Sequence, residues 1–531
     1  MTIVQAIIIG LIYFLFRFTQ LGLTFSAPFF FSPLPMSFCV GLVLGDVSTA
    51  VMVGAQLQLI YLGLVSPGGS APSDVAIAAM VGTSVALTTG MAPEMAVVLA
   101  VPAGLIGRQL NVLAYTINVA CTHLGDKYAE EGSIKGVIMS GALLPNISKL
   151  LLTIPLVIVV YFGPTVAEAA MEAIPQWLLN GFATIGSIMP ALGFAIMLNV
   201  IGKKQLMPYF AVGFLAVQYL DIPILPLAIF GAVMAFLHLT FTGKIGENAK
   251  KIDIDEESQV DEKHLLTKKD VTKSYLMWWT FAESTHNYER LLGHSFCMAM
   301  TPIIKKLYTT KEDISAALQR HMVFFNTESV WGSVVVGITA AMEEQRAMGA
   351  NVPDSAINGI KTGLMGPFAG IGDTLSYGTL LPIILALFVP LAKAGNPIAG
   401  IAPVLIFGIL SLFIGLWLFR FGYKFGSKSA LTLLKSGMFE SIIMGASILG
   451  LLMIGGLVAE YVNVTTPLVI TTGVGEYAIQ DIFDSILKGL LPLLTLGGVY
   501  AFINKVSKNY VVAILLLFII GIVLGGLGII A

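Results

Sequence analysis

Apolar runs follow one another almost without interruption from Met1 to about Phe241, yield to the charged stretch GKIGENAKKIDIDEESQVDEKHLLTKKD at Gly243–Asp270, and resume after about Gly359. In lipid, every backbone polar group must find its partner within the chain, so segments of this kind span as helices or as closed barrels. These runs are too long and too continuous for the alternating pattern of a barrel, which leaves helices. Hydrophobic residues make up 56% of the chain and charged residues 11%, at a mean hydropathy of +0.87, so most of the outer surface faces lipid. The expected fold class is an all-α polytopic integral membrane protein with two tandem transmembrane domains. Residues 1–243 form the first domain, 244–267 a charged cytoplasmic linker, and 268–531 the second. Within the second, 268–358 read as amphipathic cytoplasmic helices, because apolar residues recur there at three and four positions with charges between, and 359–531 as membrane helices.

A formal net charge of −2 with dispersed lysines and arginines offers no basic face and argues against a nucleic-acid partner. Cys39, Cys121 and Cys297 make no disulfide or metal pattern, and no metal or other cofactor is expected. The N-terminus MTIVQAIIIGLIYFLF lacks a basic leader region and a small-residue cleavage site, so it reads as a retained first helix. No phosphate-binding G-x-x-x-x-G-K-[ST] loop is present, so nucleotide hydrolysis does not power the protein. Lys203, Lys204, Lys244, Lys250 and Lys251 mark the cytoplasmic side.

The runs of the first half are broken by APFFFSPLPM (27–36), SPGGSAPSD (66–74), MAPEM (91–95) and VPAGLIGR (101–108). Breaks of this kind at membrane depth are tolerated where protein or water covers the freed backbone, and they mark binding sites in transporters. Polar groups lie close by: Gln56, Gln58, Ser66, Asp74 and, in the second half, Asp373. A carboxylate at membrane depth is a functional candidate by default, although Asp74 and Asp373 could equally cap a loop or bond between helices. Gln56 and Gln58 sit about 200° apart on a helix and share a face only in an extended stretch. Side-chain amides, with donors and an acceptor together, suit sugar hydroxyls.

These segments carry a resemblance. VLGDVSTAVMVGAQLQLIYLG with the Gly- and Ser-rich loop and APSD is similar to subunit IIC of the mannose/fructose/sorbose family of the bacterial sugar phosphotransferase system. NYER (287–290), FFNTE (324–328), EEQRA (343–347), INGIKTGLMGPFAGIGD (357–373) and GASILGLLMIGGLV (445–458) resemble subunit IID. The resemblance covers nearly the whole chain except the bridge, as if two separate subunits were made as one. The chain departs from the family pattern at FSAPFFFSPLP (25–35), at Gln58 where a glutamate is usual, at FFNTE in place of FFNTQP, and at Leu381 where an arginine is common. These departures fall near the expected sugar site.

The resemblance implies a bacterial inner-membrane sugar permease working by group translocation, with an elevator-type core moving against a scaffold. It implies a sugar substrate of the hexose type, IIB and IIA protein partners, and a trimer of IIC–IID pairs surrounded by lipid. The phosphoryl-donating histidine is expected on the separate IIB protein, since none of the six histidines here lies in a phosphocarrier setting. No catalytic residue is therefore assigned, and whether the chain counts as an enzyme stays open. Carried residue by residue, substrate contacts fall on Gln56, Gln58, Ser66 and Asp74, and on Asn287, Glu289, Asn326, Thr327, Glu328 and Asp373. Asp74 and Glu289 are the implied candidates for the acid near the reacting hydroxyl. The alternative from another class is an ion-coupled secondary sugar transporter, which broken helices and buried carboxylates would serve equally well.

Overall fold

The computed structural model describes residues 1–531 other than 18–21, 63–72, 152, 174, 243–263, 288, 436–437, 473–474, 508–509 and 531. It is helical almost throughout. Among the described residues five helices are long and apolar enough to cross a membrane, or up to seven if each sharply bent helix pair counts as one span.

The first half comprises α1 (Ile3–Arg17), α2 (Leu23–Phe31), α3 (Pro33–Leu44), α4 (Val47–Tyr61), α5 (Val75–Thr89), α6 (Pro93–Glu130), α7 (Ile134–Ile138), α8 (Leu144–Leu151), α9 (Ile154–Ala173), α10 (Gln176–Ile201), α11 (Met207–Leu220) and α12 (Ile224–Phe241). The break expected at 27–36 is present, since α2 and α3 meet at 88° across Ser32. Ser32 precedes a proline, which disfavours helical torsions there, and it is extended at φ −137, ψ 130. Pro33 then opens α3, where its missing N–H has no intrahelical partner to lose. The VPAGLIGR segment behaves otherwise: α6 runs through Pro102 without interruption, as membrane helices do when their neighbours cover the freed carbonyl. SPGGSAPSD lies outside the described residues except for Ser73 and Asp74.

Of the expected linker 244–267, only 264–267 belongs to the described residues. Thr267 starts α13 (Lys268–Phe281) through a capping box: its hydroxyl accepts from the Asp270 amide at 3.3 Å, and the Asp270 carboxylate accepts from the Thr267 amide at 3.0 Å. There follow α14 (Gly293–Leu307), α15 (Lys311–His321) and α16 (Ser333–Ala347). These helices enclose a core built on Trp278, Phe296 and Phe325, with the last two rings 4.6 Å apart. Then α17 (Asp354–Gly372), a π-helical turn at Asp373–Leu380 and α18 (Leu381–Lys393) make one continuous apolar span, and residue 358 lies inside α17. The chain continues through α19 (Ile398–Lys435) and α20 (Met438–Tyr461). A short antiparallel hairpin, β1 (Val469–Thr472) with β2 (Gly475–Ala478), follows, pairing Val469 with Ala478. The helical reading of the sequence did not anticipate it. Last come α21 (Ile479–Ile486), α22 (Leu490–Lys505) and α23 (Tyr510–Gly526), with α21 and α22 bent by 80°.

The two halves interleave. One apolar core joins Phe194 and Phe214 of the first half to Leu385, Leu452 and Leu517 of the second. Where α11 crosses α20, a Cβ on Gly213 would lie 1.9 Å from the Leu452 carbonyl oxygen, and one on Gly455 would lie 2.0 Å from that of Phe210. Only glycine permits such backbone contact, the usual device of helix association in lipid, where apolar burial supplies little force.

Candidate functional site

A cavity of about 130 Å³ lies between the halves. It is lined from the first half by Ser32, Gln58, Asp74, Arg108, Asn111 and Lys149, and from the second by Glu283, His286, Asn326, Thr327, Glu328 and Asp373, among others.

Asp74 caps α5, its Oδ1 accepting from the Ile77 amide at 2.9 Å. Its Oδ2 accepts from Tyr13 Oη at 2.8 Å and Asn111 Nδ2 at 2.7 Å, and its own amide donates to the Gly104 carbonyl at 2.9 Å. The carboxylate thus ties α1, α5 and α6 together at the cavity wall. Gln58 is fully buried, and its Oε1 accepts from the Leu34 amide at 3.3 Å, satisfying one of the orphan donors that open α3. Because α4 is a regular helix here, Gln56 points elsewhere and does not line the cavity. Ser66 lies outside the described residues.

In the second half the expected residues divide. Asn326, Thr327, Glu328 and Asp373 line the cavity. Asn287 does not; it is fully buried, with its Oδ1 accepting from the amides of Glu289 and Arg290 at 3.0 and 2.9 Å and its Nδ2 donating to the Thr285 carbonyl at 2.8 Å. It shapes the turn. Glu289 also lies away from the cavity, on the surface, 2.9 Å from His123 Nε2.

Glu328 is 4% exposed. Its Oε2 accepts from the amides of Val330 and Trp331 at 3.0 and 2.8 Å, while Oε1 has no hydrogen-bond partner among the described residues. Burial pushes this carboxyl up to about 8; the nearby Asp373 and Glu283 carboxylates add to the rise, against the lowering effect of the two amides. Among the described residues, the buried hydroxyls of Ser32 and Thr327 likewise lack partners. Native interiors rarely leave such groups unpaired, so their convergence on one cavity points to a polar ligand.

Sequence reasoning missed Arg108, Asn111, Lys149, Glu283 and His286. The first three were legible as polar residues inside apolar runs, by the rule that selected Asp74. Glu283 and His286 stand four and one residues ahead of NYER, in a segment whose fold is set by the first half. Asn118 Nδ2 donates to the His286 carbonyl at 2.8 Å and Lys149 Nζ to the Ser284 carbonyl at 2.6 Å. The His286 ring stacks on Tyr115 with centroids 4.6 Å apart, and its Nδ1 meets Glu283 Oε2 at 2.8 Å. Among the described residues, no group of three or more His, Cys, Asp or Glu is arranged to hold a metal ion.

Broken helices, interleaved spans and a polar-lined cavity between them define a multi-pass membrane protein of the transporter class. Comparison with known proteins gives the family. The sequence model for the mannose/fructose/sorbose family IID component of the phosphotransferase system matches residues 265–530, and that for the sorbose-specific IIC component matches residues 3–237. Among the relatives, the sorbose-specific IID component of Klebsiella pneumoniae is 39% identical over 50% of this chain and 98% of its own length. The sorbose-specific IIC component of the same organism is 31% identical over 39% of this chain and 78% of its own. A solved membrane protein is 34% identical, covering 50% of this chain and 99% of its own, with a TM-score of 0.45. The chain belongs to the mannose/fructose/sorbose family of the phosphotransferase system and carries the IIC and IID components in one polypeptide. It is a sugar permease of that system.

Proposed function

We propose that the cavity holds a hexose or related sugar while a separate phosphorylated IIB protein, itself charged by IIA, transfers a phosphoryl group to it, in the cytoplasmic membrane of a bacterium. The observation that carries this reading is the meeting of Gln58 and Asn111 from one half with Asn326, Thr327 and Glu328 from the other, around buried polar atoms that lack partners. Sugar hydroxyls both donate and accept, so a ring of amides, hydroxyls and carboxylates answers them without a metal or cofactor. Arg108 and Lys149 on the same wall would offset the charge that an incoming phosphoryl group brings. In this reading the broken pair α2–α3 and the 283–287 segment travel with the sugar in an elevator-type core, and IIC–IID units assemble as trimers.

Family membership favours group translocation over the ion-coupled alternative, and vesicles discriminate them. Purified protein in vesicles, supplied inside with the phosphocarrier proteins and phosphoenolpyruvate, should accumulate sugar phosphate after an ionophore has collapsed the ion gradients. Accumulation of free sugar that vanishes with the ionophore, and needs no carrier protein, would overturn the proposal.

A further inference from the structure

On the permease reading, the sugar hydroxyl must give up its proton as it attacks the carrier's phosphorus, and the two acids expected near it are not free to take that proton. Glu289 lies on the surface, away from the cavity. Asp74 spends both carboxylate oxygens on three donors, the Ile77 amide, Tyr13 and Asn111. The Glu328 carboxyl, pushed up to about 8 by burial, keeps its own proton at neutral pH.

His286 is differently placed. It lines the cavity from the turn between α13 and α14, and its Nδ1 stands 2.8 Å from Glu283 Oε2, while no hydrogen bond occupies its Nε2 among the described residues. A carboxylate at one ring nitrogen holds the proton on that side and leaves the other nitrogen a bare acceptor. The first half fixes the ring in place: it stacks on Tyr115 with centroids 4.6 Å and planes 21° apart, and its backbone carbonyl accepts from Asn118 Nδ2 at 2.8 Å. Arg108 Cζ lies 5.9 Å from the centroid of the same Tyr115 ring, so a cation suited to a phosphoryl group leans on the side chain that carries the imidazole. We propose that His286, oriented by Glu283, is the general base of phosphoryl transfer. Its Nε2 takes the proton of the attacking hydroxyl while the oxygen–phosphorus bond forms. The carrier's phosphorus–nitrogen bond breaks, and its electron pair leaves on the carrier's imidazole. The imidazolium at position 286 then releases its proton to water as the sugar phosphate departs.

Single-turnover transfer from radiolabelled phospho-IIB to sugar, with the full chain in nanodiscs, tests this on mannose, sorbose, fructose, glucose and glucosamine, keeping the sugar that the wild type phosphorylates fastest. His286→Gln should hold sugar affinity within about threefold of the wild type yet lose about 100-fold in maximal rate. Glu283→Gln, whose amide can donate to Nδ1 and force the proton onto Nε2, should lose about tenfold or more in maximal rate at unchanged KM. Protonation silences a base, so the wild-type rate should fall on acidification from about pH 8 to about 5.5. The other charged groups lining the cavity are Glu283, Arg108, Lys149, Glu328, Asp373 and Asp74. Glu328→Gln should therefore retain that fall and His286→Gln should lose it. A maximal rate for His286→Gln within threefold of the wild type, or a loss carried wholly by sugar affinity, would overturn the inference while leaving the permease reading standing. Should that variant fail to fold, Glu283→Gln decides by the same criteria. Absence of transfer by the wild type to every sugar would overturn the permease reading, and the inference with it.

Discussion

Asn118 Nδ2, on a helix of the first half, donates to the backbone carbonyl of His286 in the second at 2.8 Å. With Lys149 Nζ on the Ser284 carbonyl at 2.6 Å and the Ser284 hydroxyl on the Gly141 carbonyl at 2.9 Å, it fixes one cavity wall to the other by bonds that cross the fusion. The site therefore depends on the interface between the halves as much as on either half.

Asn118→Ala leaves the buried His286 carbonyl without its donor, which typically costs about 1–3 kcal/mol. The variant should melt at lower temperature in detergent and bind sugar more weakly; an unchanged melting curve would show that the clamp contributes nothing.

Gln58→Ala and Gln56→Ala should differ sharply. Gln58 lines the cavity and satisfies the Leu34 amide, so its loss should weaken sugar binding several-fold. Gln56 does not line the cavity, and its replacement should leave affinity within a factor of two. Equal affinities for the two variants would contradict the placement of the site.

Glu343 is fully buried and accepts from Arg320 Nε and Nη2 at 2.7 and 3.0 Å, from His321 Nε2 at 3.0 Å and from Tyr308 Oη at 2.6 Å. Glu343→Gln leaves the buried Arg320 guanidinium only its Asp354 partner, at 2.9 Å, and should destabilise by about 3 kcal/mol. The contacts with His321 and Arg320 hold the Glu343 carboxyl well below the usual range against its burial, and burial pulls His321 down to about 4 from 6.5. Both groups take up protons more readily in the unfolded chain, so both contributions are lost on acidification, that of His321 between about pH 6.5 and 4. Thermal melts of the wild type from pH 8 to 4 should fall, and Glu343→Gln, which removes the contacts that hold the His321 pKa up against burial, should steepen the fall.

Glu328 has the opposite sign. Its carboxyl is raised from 4.5 to about 8 in the folded protein, so the folded state binds the extra proton and stability is lost as pH rises across that window. Glu328→Gln should therefore gain on the wild type at pH 9 relative to pH 5. A difference in melting temperature that stays constant with pH would refute the shift.

Residues 1–243 and 268–531 expressed as separate chains should assemble and transport. Beyond the clamp, Trp279 Nε1 donates to Thr24 Oγ1 at 2.9 Å and Ser315 Oγ to the Glu130 carbonyl at 2.8 Å. A large interface makes a tether an aid to effective concentration, not a requirement. Two stable fragments that fail to restore any transport would assign the bridge a further role.

The apolar runs alone determined that this chain spans a membrane as helices, because lipid leaves an unpaired backbone no other choice. Local rules also sufficed for the break at Ser32, where proline chemistry acts on adjacent residues. Asp74 and Gln58 were legible as site candidates because polar groups in apolar surroundings announce themselves, whereas the 326–328 segment was legible only through the family resemblance of FFNTE. The sequence did not separate Gln56 from Gln58, since only the helical phase of α4 decides which faces the cavity. Nor could it separate Glu328 from Glu289, two glutamates in equally polar motifs, one enclosed between the halves and the other paired with His123 on the surface. Tertiary structure made those choices, because burial and hydrogen-bond partners depend on contacts between residues far apart in the chain, and no local pattern encodes which atoms will be left without a partner.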